Sequence, residues 1–395
     1  MMLKRKYDFD EVINRKNTDS LKYDFVLERG KPEDILPLWI ADMDFKIPDE
    51  IVAALHQRVD QGIFGYTETR DRYFEAVRYW LEKRHGWIVE KEWLVKSPGV
   101  VFALAMGVRA YTEPGDGVLI QQPVYQVFDK VIRENDRVVI DNTLVLGEDG
   151  KYHMDLEDFE RKAVQHHVKL FLLCNPHNPG GVVWSQEELK ELGDICIRRD
   201  MIIISDEIHQ DFVYKGRHQV FANINEGLKE RIITCTAPSK TFNLAGLQTA
   251  NIFIPNESLR EKFLRQMRAA GYDHLNTLGL VACEAGYRYG EDWLEQLLEY
   301  LKGNISYVRE YLEKKISRIK LIEPDATYLL WLDFRELGLT EEERMDLLEN
   351  KAGIWLNSGL KFGKSGEGFE RINIACPRSV LEEALMRLER AVNTL

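Results

Sequence analysis

Between residues 91 and 255 the chain alternates short β-branched and aliphatic runs with stretches whose apolar positions recur every three or four residues. The runs are VLI (118–120), RVVID (137–141), KLFLLC (169–174), MIIIS (201–205), RIITCT (231–236) and TANIFI (249–254). They are too short and too continuously apolar for surface helices. Runs of this length, bounded by turn residues, suit strands covered on both faces, which have no solvent side to keep polar. Between them, Ser185-x-x-Glu188 has capping-box spacing, and Leu189, Leu192, Ile195 and Cys196 then fall on one helical face. The alternation predicts an α/β fold with a doubly wound, mainly parallel sheet. Ligands of such sheets bind beyond the carboxyl ends of the strands.

After about Gly290 the texture changes. A helix is expected over 292–317, with Leu294, Leu297, Leu298, Leu301, Ile305 and Val308 on its buried stripe. Strand-like 326–334, helical 340–351, strand-like 371–376 and a helix from Ser379 follow. The expected division is an N-terminal arm (1–45), a large domain (46–290) and a smaller α+β domain (291–395). The arm is loop-like and aromatic and should pack with the small domain. No repeat, low-complexity tract or flexible linker interrupts the chain.

Composition narrows the partners. The 395 residues carry 53 Lys and Arg against 65 Asp and Glu, a formal net charge of −12, which repels a phosphate backbone and disfavours nucleic acid. No apolar run approaches the roughly 20 residues that span a bilayer, so no membrane partner is expected. Cys174, Cys196, Cys235, Cys283 and Cys376 form an odd, dispersed set without C-x-x-C, against a disulfide framework or thiolate zinc site. The N-terminus lacks the apolar core of a signal peptide. A cytoplasmic protein is expected.

Four expected strand ends carry polar residues. Gln121 to Tyr125 follow VLI, Asn175 to Gly181 (NPHNPGG) follow KLFLLC, Asp206 to His209 follow MIIIS, and Ala237 to Lys240 follow RIITCT. Singly, each has a plain structural reading: Lys240 as a solvated charge, Asp206 as a helix cap, Tyr125 as a half-buried ring, 175–181 as a Pro/Gly turn. In a parallel sheet, however, these ends meet at one edge, bringing an amide, a carboxylate, an amine and a phenol together.

In order along the chain, Ser97-Pro98-Gly99-Val100, Tyr125, NPHNPGG, Ser205-Asp206-Glu207, Ser239-Lys240 and Arg371-x-Asn373-x-Ala375 resemble the fold-type I pyridoxal-phosphate enzymes, specifically class I/II aminotransferases. Trp39 to Phe45 (WIADMDF), Gly65-Tyr66-Thr67, Asp206 to His209 (DEIH) and Ser239 to Gly246 (SKTFNLAG) resemble the cystathionine β-lyase, or C–S lyase, branch. The resemblance implies that Lys240 joins the aldehyde of pyridoxal 5′-phosphate and later serves as general base for the Cα proton. Asp206 would keep the pyridine nitrogen protonated, Asn178 would bond the phenolate oxygen, and Tyr125 would lie against the ring. Gly99, Val100 and Val101 open an apolar helical stretch whose N–H groups and dipole suit a phosphate, with Ser239 adding a hydroxyl. Arg371 would grip the substrate carboxylate with its two-donor fork, beside Ala41. Tyr66 would reach the phosphate of a second subunit, which implies a homodimer with active sites at the interface.

Two positions depart from typical aminotransferases. His209 stands where many have tyrosine, and Gln248 where an arginine follows the lysine by eight residues. Both departures agree with the lyase branch. His209 lacks the H-E-x-x-H partner of a metal ligand, so no metal is expected. The expected activity is cleavage of a small amino-acid substrate, cystathionine or a related cysteine S-conjugate, to a thiol, pyruvate and ammonia. The alternative is an aminotransferase for neutral or aromatic amino acids.

Overall fold

The computed structural model describes residues 6–395; the first five residues of the expected arm lie outside them. Its main sheet has seven strands in the order Leu94–Ser97, Ala250–Phe253, Ile232–Thr236, Ile202–Asp206, Leu170–Cys174, Gly117–Ile120 and Val138–Asp141. The last five run parallel. Ala250–Phe253 runs antiparallel to both neighbours. The chain between Thr236 and Ala250 holds only the short helical turns Pro238–Thr241 and Ala245–Leu247, too little for a crossover helix, so the next strand returns reversed.

The apolar runs are continuous because both sheet faces are covered. Phe171 and Leu173 enter one apolar cluster while Leu170, Leu172 and Cys174 enter the other. Ile203 and Ile204 divide in the same way. Each such fully buried side chain contributes about 1.5–3 kcal/mol of transfer free energy. On one face the helix Val100–Tyr111 lies so close that a Cβ on Gly107 would stand 2.3 Å from Ile204 Cδ1. Only glycine permits that approach, which fixes where the helix N-terminus points. The helix Gln186–Arg198 begins with the expected capping box, Ser185 and Glu188 bonding each other's backbone N–H groups.

Beyond the helix Thr277–Tyr289, the long helix Glu291–Lys315 and the C-terminal helix Arg378–Val392 flank a second, wholly antiparallel sheet. Its order is Lys320–Ile322, Leu329–Asp333, Phe369–Asn373 and Asn357–Ser358. The expected helix over 340–351 is α-helical only across Glu341–Asp346 and widens into a π-helical turn at Leu347–Lys351. There the Ala352 N–H bonds the Leu347 carbonyl, five residues back. The described part of the arm forms one short strand, Leu36–Pro37, parallel to Ile354–Trp355. Trp39 then stacks on Trp355, with ring centroids 4.5 Å apart.

Candidate active site

A cavity of about 180 Å³ opens at the carboxyl edge of the seven-stranded sheet. Ala41, Gly99, Val100, Val101, Tyr125, Asn178, Asp206, His209, Ser239 and Lys240 all line it. The strand ends are tied to one another. Asp206 pairs with Cys174, the Asn175 N–H bonds the Asp206 carbonyl, and the Tyr125 N–H bonds the Asn178 carbonyl at 3.1 Å.

The segment 39–45 reaches the cavity through Ala41, and its carbonyl oxygens accept from side chains of both halves of the molecule. Lys240 Nζ and the Tyr328 hydroxyl donate to the Ala41 carbonyl at 2.6 and 3.2 Å. Arg371 Nη2 donates to Trp39, and Asn373 Nδ2 to Ile40 and Asp42. Arg371 also donates from Nη1 to Asn178 Oδ1 at 3.1 Å, and its guanidinium lies 4.9 Å from the Phe362 ring centroid. Arg371 Nε is buried with no partner among the described residues. A buried guanidinium satisfied only by neutral oxygens, with part of its fork unused, is prepared for an anion.

Burial and the Arg371 charge lower the Lys240 amine to about 8, against the opposing pull of Asp42 and Asp206. Burial pushes Asp206 up to about 7, offset by the Ile208 N–H and by Lys240. His209 is driven down to about 3 by burial, Lys240 and Arg371, so its imidazole is neutral. Its Nδ1 has no partner among the described residues. Tyr125 is raised by burial and stays a phenol. The helix Val100–Tyr111 starts at the cavity with no side-chain cap, leaving its first N–H groups for a ligand.

Tyr66 is the one expected site residue far from this constellation. It is 96 % exposed, and its ring neighbours His274 at 5.5 Å. Conversely, Tyr328, Phe362, Cys174, Ile208 and Thr249 are at or beside the cavity although the sequence did not single them out. Cys174 and Ile208 sit inside the strand-end segments and were within reach of that argument. Tyr328 and Phe362 arrive from the second sheet and its loops, which no local pattern announces. Among the described residues no group of three or more His, Cys, Asp or Glu could hold a metal. No described helix is long and apolar enough to cross a membrane.

A fold with a ligand cavity at this edge, built from these motifs, is matched by the aminotransferase class I and II family over residues 33–388. The chain belongs to that family. Among its relatives it is similar to cystathionine beta-lyase PatB of Bacillus subtilis (strain 168), 42% identical over 98% of this chain and 100% of the relative. A cystathionine beta-lyase of Corynebacterium glutamicum is 35% identical over 96% and 98% of the two chains. Among solved structures, cystalysin from Treponema denticola, which contains a pyridoxal 5′-phosphate cofactor, superposes with a TM-score of 0.95. It is 38% identical and covers 99% of this chain and 100% of its own. The PLP-bound C–S lyase from Staphylococcus hominis gives 0.91 at 34% identity, with 98% of each chain covered.

Proposed function

We propose that the protein is a pyridoxal-phosphate-dependent C–S β-lyase that cleaves cystathionine or a related cysteine S-conjugate to a thiol, pyruvate and ammonia. The observation that carries this is that the recessed Lys240 amine and the Asp206 carboxyl line one cavity, while Arg371 bonds Asn178 of the same wall and keeps its Nε unused among the described residues. The residues fit the cofactor. The uncapped helix N-terminus suits its phosphate, with Ser239 and Gln248 lining the same cavity. Among the described residues the Asp206 carboxyl accepts a hydrogen bond from the Ile208 N–H alone, and it is available to a ring nitrogen. Tyr125, Asn178 and the unpartnered His209 Nδ1 line the remaining wall.

When bound, pyridoxal phosphate supplies an aldehyde that joins amines and a cationic ring that draws electrons from the substrate Cα. The chain's own groups do the rest. Asp206 holds a proton at the ring nitrogen. Arg371 fixes the substrate carboxylate. Lys240, near 8, is basic yet partly neutral around physiological pH and takes the Cα proton. The Cα–H electron pair becomes the Cα=Cβ bond, and the Cβ–S pair leaves with sulfur as a thiolate. Water then converts the released enamine to pyruvate and ammonia.

The reading extends to assembly and place. Tyr66, fully exposed beside Ile63 and Phe64, suits a homodimer in which it reaches the phosphate of a second copy. A groove of about 550 Å³ bearing Thr67, Arg72 and Tyr289 lies on the same face. The five cysteines are free and buried, in keeping with the cytoplasm. An arm ending near residue 45, a large domain to 290 and a small domain to 395 remain the division we favour, supported by the two separate sheets.

The test is incubation of the pure enzyme with cystathionine and no keto acid. Pyruvate and homocysteine should form in equal amounts. Amino exchange that requires a keto acid, without thiol release, would make it an aminotransferase instead.

A further inference from the structure

A second buried carboxylate stands behind the cavity with no part in the chemistry above. Asp211 lies five residues beyond Asp206, and its side chain is 1% exposed. Its Oδ2 accepts the Thr241 hydroxyl at 2.7 Å. Its Oδ1 lies 2.9 Å from His85 Nε2, and Trp80 Nε1 donates to the two oxygens at 3.1 and 3.3 Å. Arg84 Nε lies 3.4 Å from Oδ1. A carboxylate only accepts, so the proton on His85 sits at Nε2. Burial alone would raise Asp211, but the bonds and charges of His85, Arg84 and Thr241 outweigh it and hold the group below the usual carboxylate range. Tyr287, from the helix Thr277–Tyr289, is the other titratable group facing it.

The donors come from two places. Trp80, Arg84 and His85 belong to the helix Asp71–His85, whereas Thr241 directly follows Lys240 in the turn Pro238–Thr241. The next residue, Phe242, packs edge-on against Trp80 at 5.4 Å. A Cβ on Gly290 would come within 2.4 Å of that ring. The two residues after the catalytic lysine are therefore held by a charged anchor and an aromatic wedge. A parallel brace holds Asp206. Its neighbour Glu207 lies 2.8 Å from His218 Nε2 and accepts the Ser205 hydroxyl and the Phe221 N–H. The His85 and His218 rings meet edge to face at 5.6 Å.

A buried ionised carboxylate costs several kcal/mol to desolvate, and apolar packing could fix a turn without one. Directed bonds define a hydroxyl's position more sharply than packing does. We propose that Asp211 is a positioning residue for the reaction, setting where the Lys240 amine stands through the Thr241 hydroxyl. The proposal rests on the lyase reading.

Thr241→Val keeps the side-chain shape and deletes the bond, Thr241→Ser keeps the bond, and Asp211→Asn removes the charge. For each holoenzyme, the visible absorbance of the Lys240-linked cofactor is titrated with pH, and kcat, KM and Tm are measured. Thr241→Val and Asp211→Asn should move the spectral midpoint by roughly half a pH unit or more. They should lower kcat about ten- to a hundredfold with KM little changed, the scale of a slightly misplaced reacting group. Thr241→Ser should restore both values. A Thr241→Val enzyme with wild-type midpoint and kcat, whatever its Tm, overturns the proposal, and does so even where Asp211→Asn fails to fold. A wild-type protein with neither absorbance band nor thiol release overturns the lyase reading, and this proposal with it.

Discussion

Lys22 and Lys240 are both recessed amines close to residues 39–45, yet they are paired in opposite ways. Lys22, fully buried, sits 2.7 Å from Asp44 and 3.7 Å from Asp42, and Arg15 closes on the same two carboxylates at 2.7 Å. Among the described residues Lys240 has one hydrogen-bond partner, the neutral Ala41 carbonyl. The carboxyls repeat the contrast. Burial pushes both Glu370 and Asp206 up to about 7, but Glu370 holds Arg344 Nε at 2.9 Å while Asp206 has, among the described residues, a single backbone N–H. Where charge serves shape, this fold completes the pair inside the chain. Around the cavity the pair is left open, as the proposed chemistry needs.

Substitutions can break that contrast. Replacing Lys240 with Ala should cost at least about a thousandfold in thiol release, since on the proposed mechanism it removes both the cofactor's attachment and the base, while circular dichroism and Tm stay near wild type. Retained turnover would move Lys240 to the structural side. Lys22→Met should do the reverse, destabilising the fold by roughly 1.5–3 kcal/mol in urea unfolding because the buried Asp44 loses its ammonium partner and keeps Arg15 and Tyr23. Adding Asp44→Asn should recover part of that loss; a cost below about 1 kcal/mol would show that the pair is not needed for shape.

Arg371→Lys should raise KM about ten- to a hundredfold with a smaller change in kcat, because a point charge cannot copy the two-donor fork. An unchanged KM would remove Arg371 from substrate binding.

The smallest effect is one of pH. In cofactor-stripped protein the folded state keeps Asp206 protonated up to about 7, while the unfolded chain releases that proton near the ordinary carboxyl value. The folded state thus binds the extra proton, and this contribution to stability is lost as pH rises from about 4 to 7. Urea midpoints of wild type should therefore fall relative to Asp206→Asn across that window. A pH-independent difference would mean that the carboxyl is compensated after all.

The central strands were legible because each is covered twice, and LFLLC (170–174) and MIII (201–204) have no polar position to confuse the reading. The strand-end residues were legible for the same reason: an Asn directly after five apolar residues, or a Ser-Asp pair after four, stands out. The reversed direction of Ala250–Phe253 was not, since orientation depends on what the preceding connection can span. Tyr328, Phe362 and Asp211 were hidden for a different reason. Their significance lies in partners far along the chain, 287 residues from Tyr328 to Ala41 and 131 from Asp211 to Trp80, and no local period encodes a distance of that kind. The resemblance to known families located Arg371 and Asn178, but the bond between them, across 193 residues, emerges only from the folded chain.

Those separations also bear on synthesis. The roof over the cavity is translated near the start, whereas Arg371 and Asn373, which grasp its carbonyls across 332 and 333 residues, emerge near the end. Closing so long a loop before any contact rewards it makes the binding chamber a late event in folding. A nascent chain halted before these two residues leave the ribosome can carry the lysine and the carboxylate, but it has no means to shut the chamber around a guest.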